Sequence, residues 1–123
     1  AESGMPVKGT TIDRIVAGLD LPPSFIKIDV EGFEASVVSG ARETLLKFHP
    51  VLYMEFNPSF LSNYGTDCTQ LLQDLAGFGY RFFLFGKSGF YECSIPEVVK
   101  KSKARNWHDV LVVPNSNQHN EGW

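Results

Sequence analysis

The sequence predicts an α/β fold with a mostly parallel sheet and an antiparallel hairpin near its end. Short apolar stretches of strand length alternate with stretches whose apolar residues recur at helical spacing, which is typical of βαβ units. Further along, two aromatic-rich stretches flank the short turn 86–89, a pattern typical of a hairpin. The 123 residues suffice for one domain with a real core.

The first half of the chain is predicted to contain helix, strand and helix. A helix begins after Thr11, which has the side chain of an N-cap, and a charged strand follows at about 25–30. The next helical pattern covers 33–48 and is weakened at Gly40. It ends before Pro50, because the residue that precedes a proline is disfavoured in the α region.

The second half is predicted to begin with a strand and to finish with short antiparallel strands. Its elements in order are a strand at 51–56, a polar loop at 57–67, a helix at 68–76, strands at 80–85 and 90–93, a helix at 96–104 and a strand at 108–113. Because strands and helices alternate, we expect right-handed parallel crossovers before the hairpin.

The strand at 25–30 carries an unusual row of charges. Lys27, Asp29 and Glu31 alternate with apolar residues, so period two places the three on one face. Charges are costly in a buried strand unless they are paired, bind a metal or face a ligand crevice. Such crevices lie beyond the carboxyl ends of parallel strands. The alternative interpretation is an edge strand with one solvent-exposed face, on which Lys27 pairs loosely with Asp29.

Two neighbouring strand ends therefore give a candidate site. The candidate catalytic residues are Asp29, Glu31 and Glu55; the candidate substrate-binding residues are Glu34, Tyr53, Asn57 and His108. General-base catalysis by Asp29 or Glu31 without a metal is the simpler chemistry. Mg²⁺ or Ca²⁺ held by these oxygens is the alternative, although nothing fixes octahedral geometry. Glu34 equally fits a structural place at a helix N-terminus, and a lone histidine such as His108 is more often structural.

The composition of the chain argues against some classes of partner and location. The net charge of −3 argues against nucleic acid, because phosphate binding relies on clustered Lys and Arg. No apolar run approaches the roughly 20 residues that a membrane span needs. Cys68 and Cys93 lack metal-ligand spacing, so free thiols in a reducing cytoplasm are expected, with a disulfide as the less favoured alternative.

Three segments carry recognisable motifs. They are Ile26–Glu34 with its KIDVEG string, Val37–Ala41 with a Gly-Ala pair, and Pro50–Glu55, a proline-led strand that ends in Glu. Together these segments resemble the FkbM family of methyltransferases. The entry Thr11–Asp13 and the closing strand His108–Val113 are also similar to the family. The resemblance covers most of residues 7–113.

The resemblance implies a Rossmann-like fold that binds S-adenosylmethionine, with Asp29 also near the cofactor. It implies methyl transfer to a hydroxyl of a sugar, a polyketide or another small metabolite. The family's glycine-rich cofactor turn has no counterpart in this sequence. We therefore expect 1–113 to be the C-terminal part of such a domain, inactive alone, with 114–123 as a flexible tail.

An incomplete domain has a sheet edge open at the strand 25–30. The expected partner is then a missing N-terminal half or another chain. A non-catalytic α/β module that pairs through this edge is the alternative function.

Overall fold

The computed structural model describes residues 9–115, which form five strands and six helices. In chain order they are α1 (Ile12–Ala17), β1 (Phe25–Ile28), α2 (Glu34–Ser39), α3 (Arg42–Phe48), β2 (Val51–Phe56), α4 (Pro58–Asn63), α5 (Cys68–Gly77), β3 (Tyr80–Gly86), β4 (Gly89–Cys93), α6 (Ile95–Arg105) and β5 (His108–Pro114). Of the expected tail, Pro114 belongs to β5 and the Asn115 N–H donates to the Gly79 carbonyl, whereas 116–123 lie outside the described residues.

The sheet has the order β1-β2-β5-β3-β4. Only β1 and β2 pair in parallel; the β2–β5, β5–β3 and β3–β4 pairs are antiparallel. The expected antiparallel hairpin is confirmed, but the expectation of a mostly parallel sheet is wrong. The reason is the position of β5, which runs against both neighbours and separates β2 from β3, two strands that point the same way.

One face of the sheet carries the core. Its buried side chains come from alternate positions of the strands and include Ile28, Leu52, Met54, Phe56, Phe82, Leu84, Val110 and Val112. Every helix contributes to this same apolar cluster: Ile12, Val38, Leu45, Leu61, Leu72 and Val98 are examples from α1 to α6. The alternating positions on the other face of β2 and β5 are only half-buried.

The predicted helix 33–48 is two helices, α2 and α3, which meet at Gly40 and Ala41. Neither the Phe33 cap of α2 nor the Ala41 cap of α3 makes a side-chain capping bond. Asp13 of α1 supplies the missing acceptors for α3. Its carboxylate accepts the Glu43 N–H at 3.0 Å and the Thr44 N–H at 2.8 Å.

Two further boundaries differ from the sequence prediction. The polar segment 57–67 is not a continuous loop, because it contains α4. Asn57 caps that helix by accepting the Phe60 N–H at 3.1 Å, and Pro58 occupies its first turn. β1 ends at Ile28, so Asp29 and Glu31 follow the strand instead of lying within it.

Candidate functional site

A crevice of about 260 Å³ lies on the half-exposed face of the sheet, where β1 and β2 end and β5 begins. It is lined by Lys27, Ile28, Asp29, Tyr53, Glu55 and Asp109. The strand register explains this convergence. Lys27 lies beside Tyr53 across the parallel pair, and Glu55 lies directly opposite Asp109 across the antiparallel pair.

The turn after β1 fixes the approach to this crevice. Glu31 and Gly32 are both left-handed, with φ of 49° and 107°. Gly32 packs beneath α4 so tightly that a Cβ there would lie 2.7 Å from the Phe60 carbonyl oxygen and 2.7 Å from the Tyr64 ring. Only glycine fits this combination of backbone conformation and close approach. The Tyr64 ring also stacks on Phe33, with centroids 4.1 Å apart.

Glu34 completes the same turn from within. Its side chain is 2% exposed, and its Oε1 accepts the Gly32 N–H at 2.9 Å. A buried carboxylate is stabilised when it accepts such a bond and lies in the first turn of a helix. The acidic residue downstream of the strand therefore braces the turn; it does not line the crevice.

Negative charge dominates the crevice. The pKa of Glu55 is raised, first by burial and then by the charges of Asp29, Asp109, Glu31 and Glu34. The pKa of Tyr53 is also raised, first by burial and then by hydrogen bonding to Asp109 and its charge. Glu55 therefore holds a proton at a higher pH than an ordinary glutamate.

The structure brings together some of the predicted site residues. Asp29, Tyr53 and Glu55 line one crevice, as the neighbouring strand ends predicted. Glu31 is exposed in the adjoining turn, and Asn57 is occupied as the cap of α4.

His108 is placed elsewhere. It is 6% exposed on the core face, opposite Phe56, with Nδ1 3.1 Å from the Asp109 carbonyl oxygen. Its neighbour Asp109 occupies the crevice instead. Because successive residues of a strand point to opposite faces, only one of His108 and Asp109 can face the site. The pairing of the last strand shows which one does.

Within residues 9–115 no three His, Cys, Asp or Glu side chains are grouped to hold a metal ion. Cys68 and Cys93 are both buried free thiols. None of the helices between residues 9 and 115 has the length and apolar character to cross a membrane.

A larger cavity of about 470 Å³ lies between α4, α5 and α6, lined by polar side chains such as Ser59, Asn63, Thr66 and Lys103. It holds none of the predicted site residues. This cavity is larger than the crevice, but the perturbed carboxylate and the strand ends favour the smaller crevice as the site.

The fold and crevice thus define an α/β domain with an acidic site at the carboxyl ends of adjacent parallel strands. A family model, the methyltransferase FkbM domain, matches residues 2–82. Because the match spans more than half of the chain, the protein belongs to the FkbM methyltransferase family. The match includes Asp29, Glu34 and Glu55 but ends before β5, so it is shorter than the expected 7–113. Searches of curated proteins and of solved structures each found no match.

Proposed function

We propose that the protein provides the acceptor side of an S-adenosylmethionine-dependent O-methyltransferase with a Rossmann-like fold. The acceptor is a hydroxyl of a sugar, a polyketide or another small metabolite. The observation that carries this proposal is the convergence of Asp29, Tyr53 and Glu55 in one crevice of a methyltransferase-family domain. The two buried thiols support a reducing, cytoplasmic location.

The crevice suits this chemistry in charge and position. S-adenosylmethionine would supply an electrophilic methyl group on a positively charged sulfur. Three carboxylates face the crevice, and Asp29 lies at its β1 side, where the family resemblance places the cofactor. Negative groups near the site favour a positive ligand. A metal is not required for this proposal.

Glu55 is the best general base in this arrangement. The acceptor hydroxyl would give its proton to the base as its oxygen bonds to the methyl carbon, while the carbon–sulfur bond breaks and the demethylated cofactor leaves. A base whose pKa lies near the working pH accelerates the proton transfer. The raised pKa of Glu55 moves it toward that range. Asp29 then orients the acceptor or the cofactor from the neighbouring strand end, and Tyr53 forms one wall of the crevice.

Calorimetric titration of S-adenosylmethionine and its demethylated product into the chain tests cofactor binding directly. Micromolar binding supports a site within the 123 residues. No binding by the folded chain, followed by binding after a second segment is supplied, supports a site shared with that segment. No binding under either condition contradicts the methyltransferase proposal.

Asp29→Asn should lower methyl transfer at least about 10-fold in whichever form is active, while the fold persists, because it removes a charge but keeps the shape. Transfer of a labelled methyl group to hydroxylated acceptors measures this. Asp20→Asn, an exposed position outside the crevice, is the matched control. Equal rates for Asp29→Asn and the control would remove Asp29 from the mechanism.

The pH profile separates Glu55 from Asp29. A general base acts only when deprotonated, so the rate should fall as the pH drops through the raised Glu55 pKa. Glu55→Gln should remove this acidic limb together with most of the rate. An unchanged limb in Glu55→Gln would assign the base to another group.

A second candidate function is a non-catalytic module that pairs through the free edge of β1. Its support is the exposure of Phe25 on β1, at 54%, and of Leu21 just before it, at 79%. Within residues 9–115 β1 has one strand neighbour, β2. Pairing with another segment without any cofactor binding would favour this module.

A further inference from the structure

Glu55 and Asp109 carry like charges at paired positions of the sheet, an arrangement that does not stabilise the sheet. They lie directly opposite each other on β2 and β5, and both are half-buried. Like charges at such positions destabilise an antiparallel pair. The ion pairs within the described residues join Arg42 to Glu43 and Arg81 to Glu92, so neither carboxylate of this pair is neutralised there.

Tyr53 connects the pair to the rest of the crevice. It lies two residues before Glu55 on the same strand face, diagonal to Asp109, whose charge adds to burial in raising the Tyr53 pKa. Ionised carboxylates accept hydrogen bonds and donate none. With Asp29, Glu55 and Asp109 in its lining, the crevice presents mainly hydrogen-bond acceptors, and Lys27 is the one cationic group among the described residues that line it.

We propose that Asp109 is a specificity-determining residue of this crevice. With Glu55 it admits acceptors that offer hydroxyl or ammonium donors, and it excludes phosphorylated and carboxylated acceptors. This inference rests on the proposed function, since it names the acceptor class for that same site. An anionic ligand would add a negative charge beside Asp29, Glu55 and Asp109, which costs about fivefold in affinity per charge even in water.

Three hexoses of different charge test the inference: glucosamine, which is cationic, glucose, which is neutral, and glucose 6-phosphate, which is anionic. Each is titrated into the isotope-labelled chain while the backbone amides of crevice residues are followed by NMR. We expect affinity to fall in that order, with at least about 10-fold between glucosamine and glucose 6-phosphate. Asp109→Asn should reduce this ratio at least about threefold, and Glu55→Gln should act in the same direction.

Asp20→Asn is the control, because it removes one negative charge at an exposed position that does not line the crevice. The same spectra report whether each variant remains folded. Asp109→Asn should also lower the Tyr53 pKa, measured as the difference in tyrosinate absorbance from Tyr53→Phe.

Equal affinity for glucosamine and glucose 6-phosphate would overturn the inference. So would equal effects of Asp109→Asn and Asp20→Asn, or no shift of crevice amides with any sugar at about 50 mM. These titrations contain no cofactor. Failure of S-adenosylmethionine to bind would therefore contradict the proposed function separately from the charge preference.

Discussion

At the scale of single residues, Gly32 explains why the KIDVEG string ends in glycine. Its φ of 107° and its contact with the Phe60 carbonyl and the Tyr64 ring are separate demands, and each disfavours a side chain. The glycine lets α4 close over the turn, and the Glu34 carboxylate fixes the turn from inside. The motif therefore shapes the route from β1 to the crevice and does not merely supply charges to it.

Gly32→Ala should destabilise the fold by roughly 2–4 kcal/mol, since backbone strain and overpacking add. Urea unfolding at neutral pH measures this change. Gly65→Ala is a matched control, because Gly65 also has a positive φ, 75°, but has open space around the position of a Cβ. It should cost only the strain, about 1 kcal/mol. Equal losses in the two variants would show that the contact with α4 contributes nothing.

Only the part of the candidate site that depends on local sequence pattern could be predicted. Asp29 and Glu55 were found because the ends of two successive strands were recognisable in sequence, and Tyr53 followed from period two. Asp109 was missed because its place depends on β5 pairing with β2, about 54 residues away in the chain. The buried role of Glu34 was likewise hidden, since its partner is a backbone N–H in a turn.

At the scale of elements, Asp13 holds three helices together. Its own N–H donates to the Gly40 carbonyl at 2.9 Å, and its carboxylate accepts two backbone N–H groups of α3 and the Thr44 hydroxyl, the last at 2.7 Å. A break between α2 and α3 leaves the first amides of α3 without partners. Asp13 satisfies them from α1, so the break and the docking of α1 stabilise each other.

Asp13→Asn should lower stability at neutral pH by about 1 kcal/mol, the usual value of a helix cap. Burial alone would raise the Asp13 pKa, but the bonds from Thr44 and Glu43 outweigh it and lower the pKa. The stabilisation is therefore complete above the ordinary aspartate pKa of about 3.9 and is lost as the pH falls through the lower, folded value.

Urea midpoints between pH 7 and pH 2 measure this dependence. As the pH falls, the free energy of unfolding should decrease less in Asp13→Asn than in the parent chain. Asp20→Asn is the control at an exposed position. Parallel pH curves for the parent and Asp13→Asn would contradict the capping role.

The helix break and α4 show why element boundaries were partly missed. The apolar spacing of 33–48 continues across Gly40, and the residue that caps the second helix is about 30 positions earlier. The segment 57–67 was assigned to a loop for its polar residues and Gly65. It nevertheless has a cap at Asn57 followed by Pro58, which is a recognisable helix start.

At the scale of the whole molecule, the six helices described between residues 9 and 115 pack into one apolar cluster on one side of the sheet. The other side presents half-buried residues of β2 and β5, together with Phe85 and Phe90, which are 58% and 45% exposed. Strand order was beyond the sequence pattern, because alternating strands and helices do not reveal that the last strand enters the middle of the sheet. Local periodicity predicts elements, and long-range pairing decides their neighbours.

The half-buried face and the edge of β1 make association the expected behaviour of this chain. An edge strand with exposed backbone groups and apolar side chains is a template for pairing. Phe25 lies on that edge, so Phe25→Lys should weaken association of the isolated chain at least about 10-fold, because a lysine blunts a strand edge. Sedimentation at increasing concentration measures the average mass.

Leu46→Lys is the matched control for this prediction. Leu46 is 39% exposed on α3, in the helical layer, so its replacement removes a comparable apolar side chain away from the β1 edge. If the sheet edge drives association, Leu46→Lys should leave the average mass unchanged while Phe25→Lys lowers it. Equal effects would indicate general apolar contact, and a parent chain that stays monomeric at every concentration would contradict edge pairing between copies. The same two variants then test any second segment that enables cofactor binding. If that segment adds a strand beside β1, its binding should be weakened by Phe25→Lys and unchanged by Leu46→Lys.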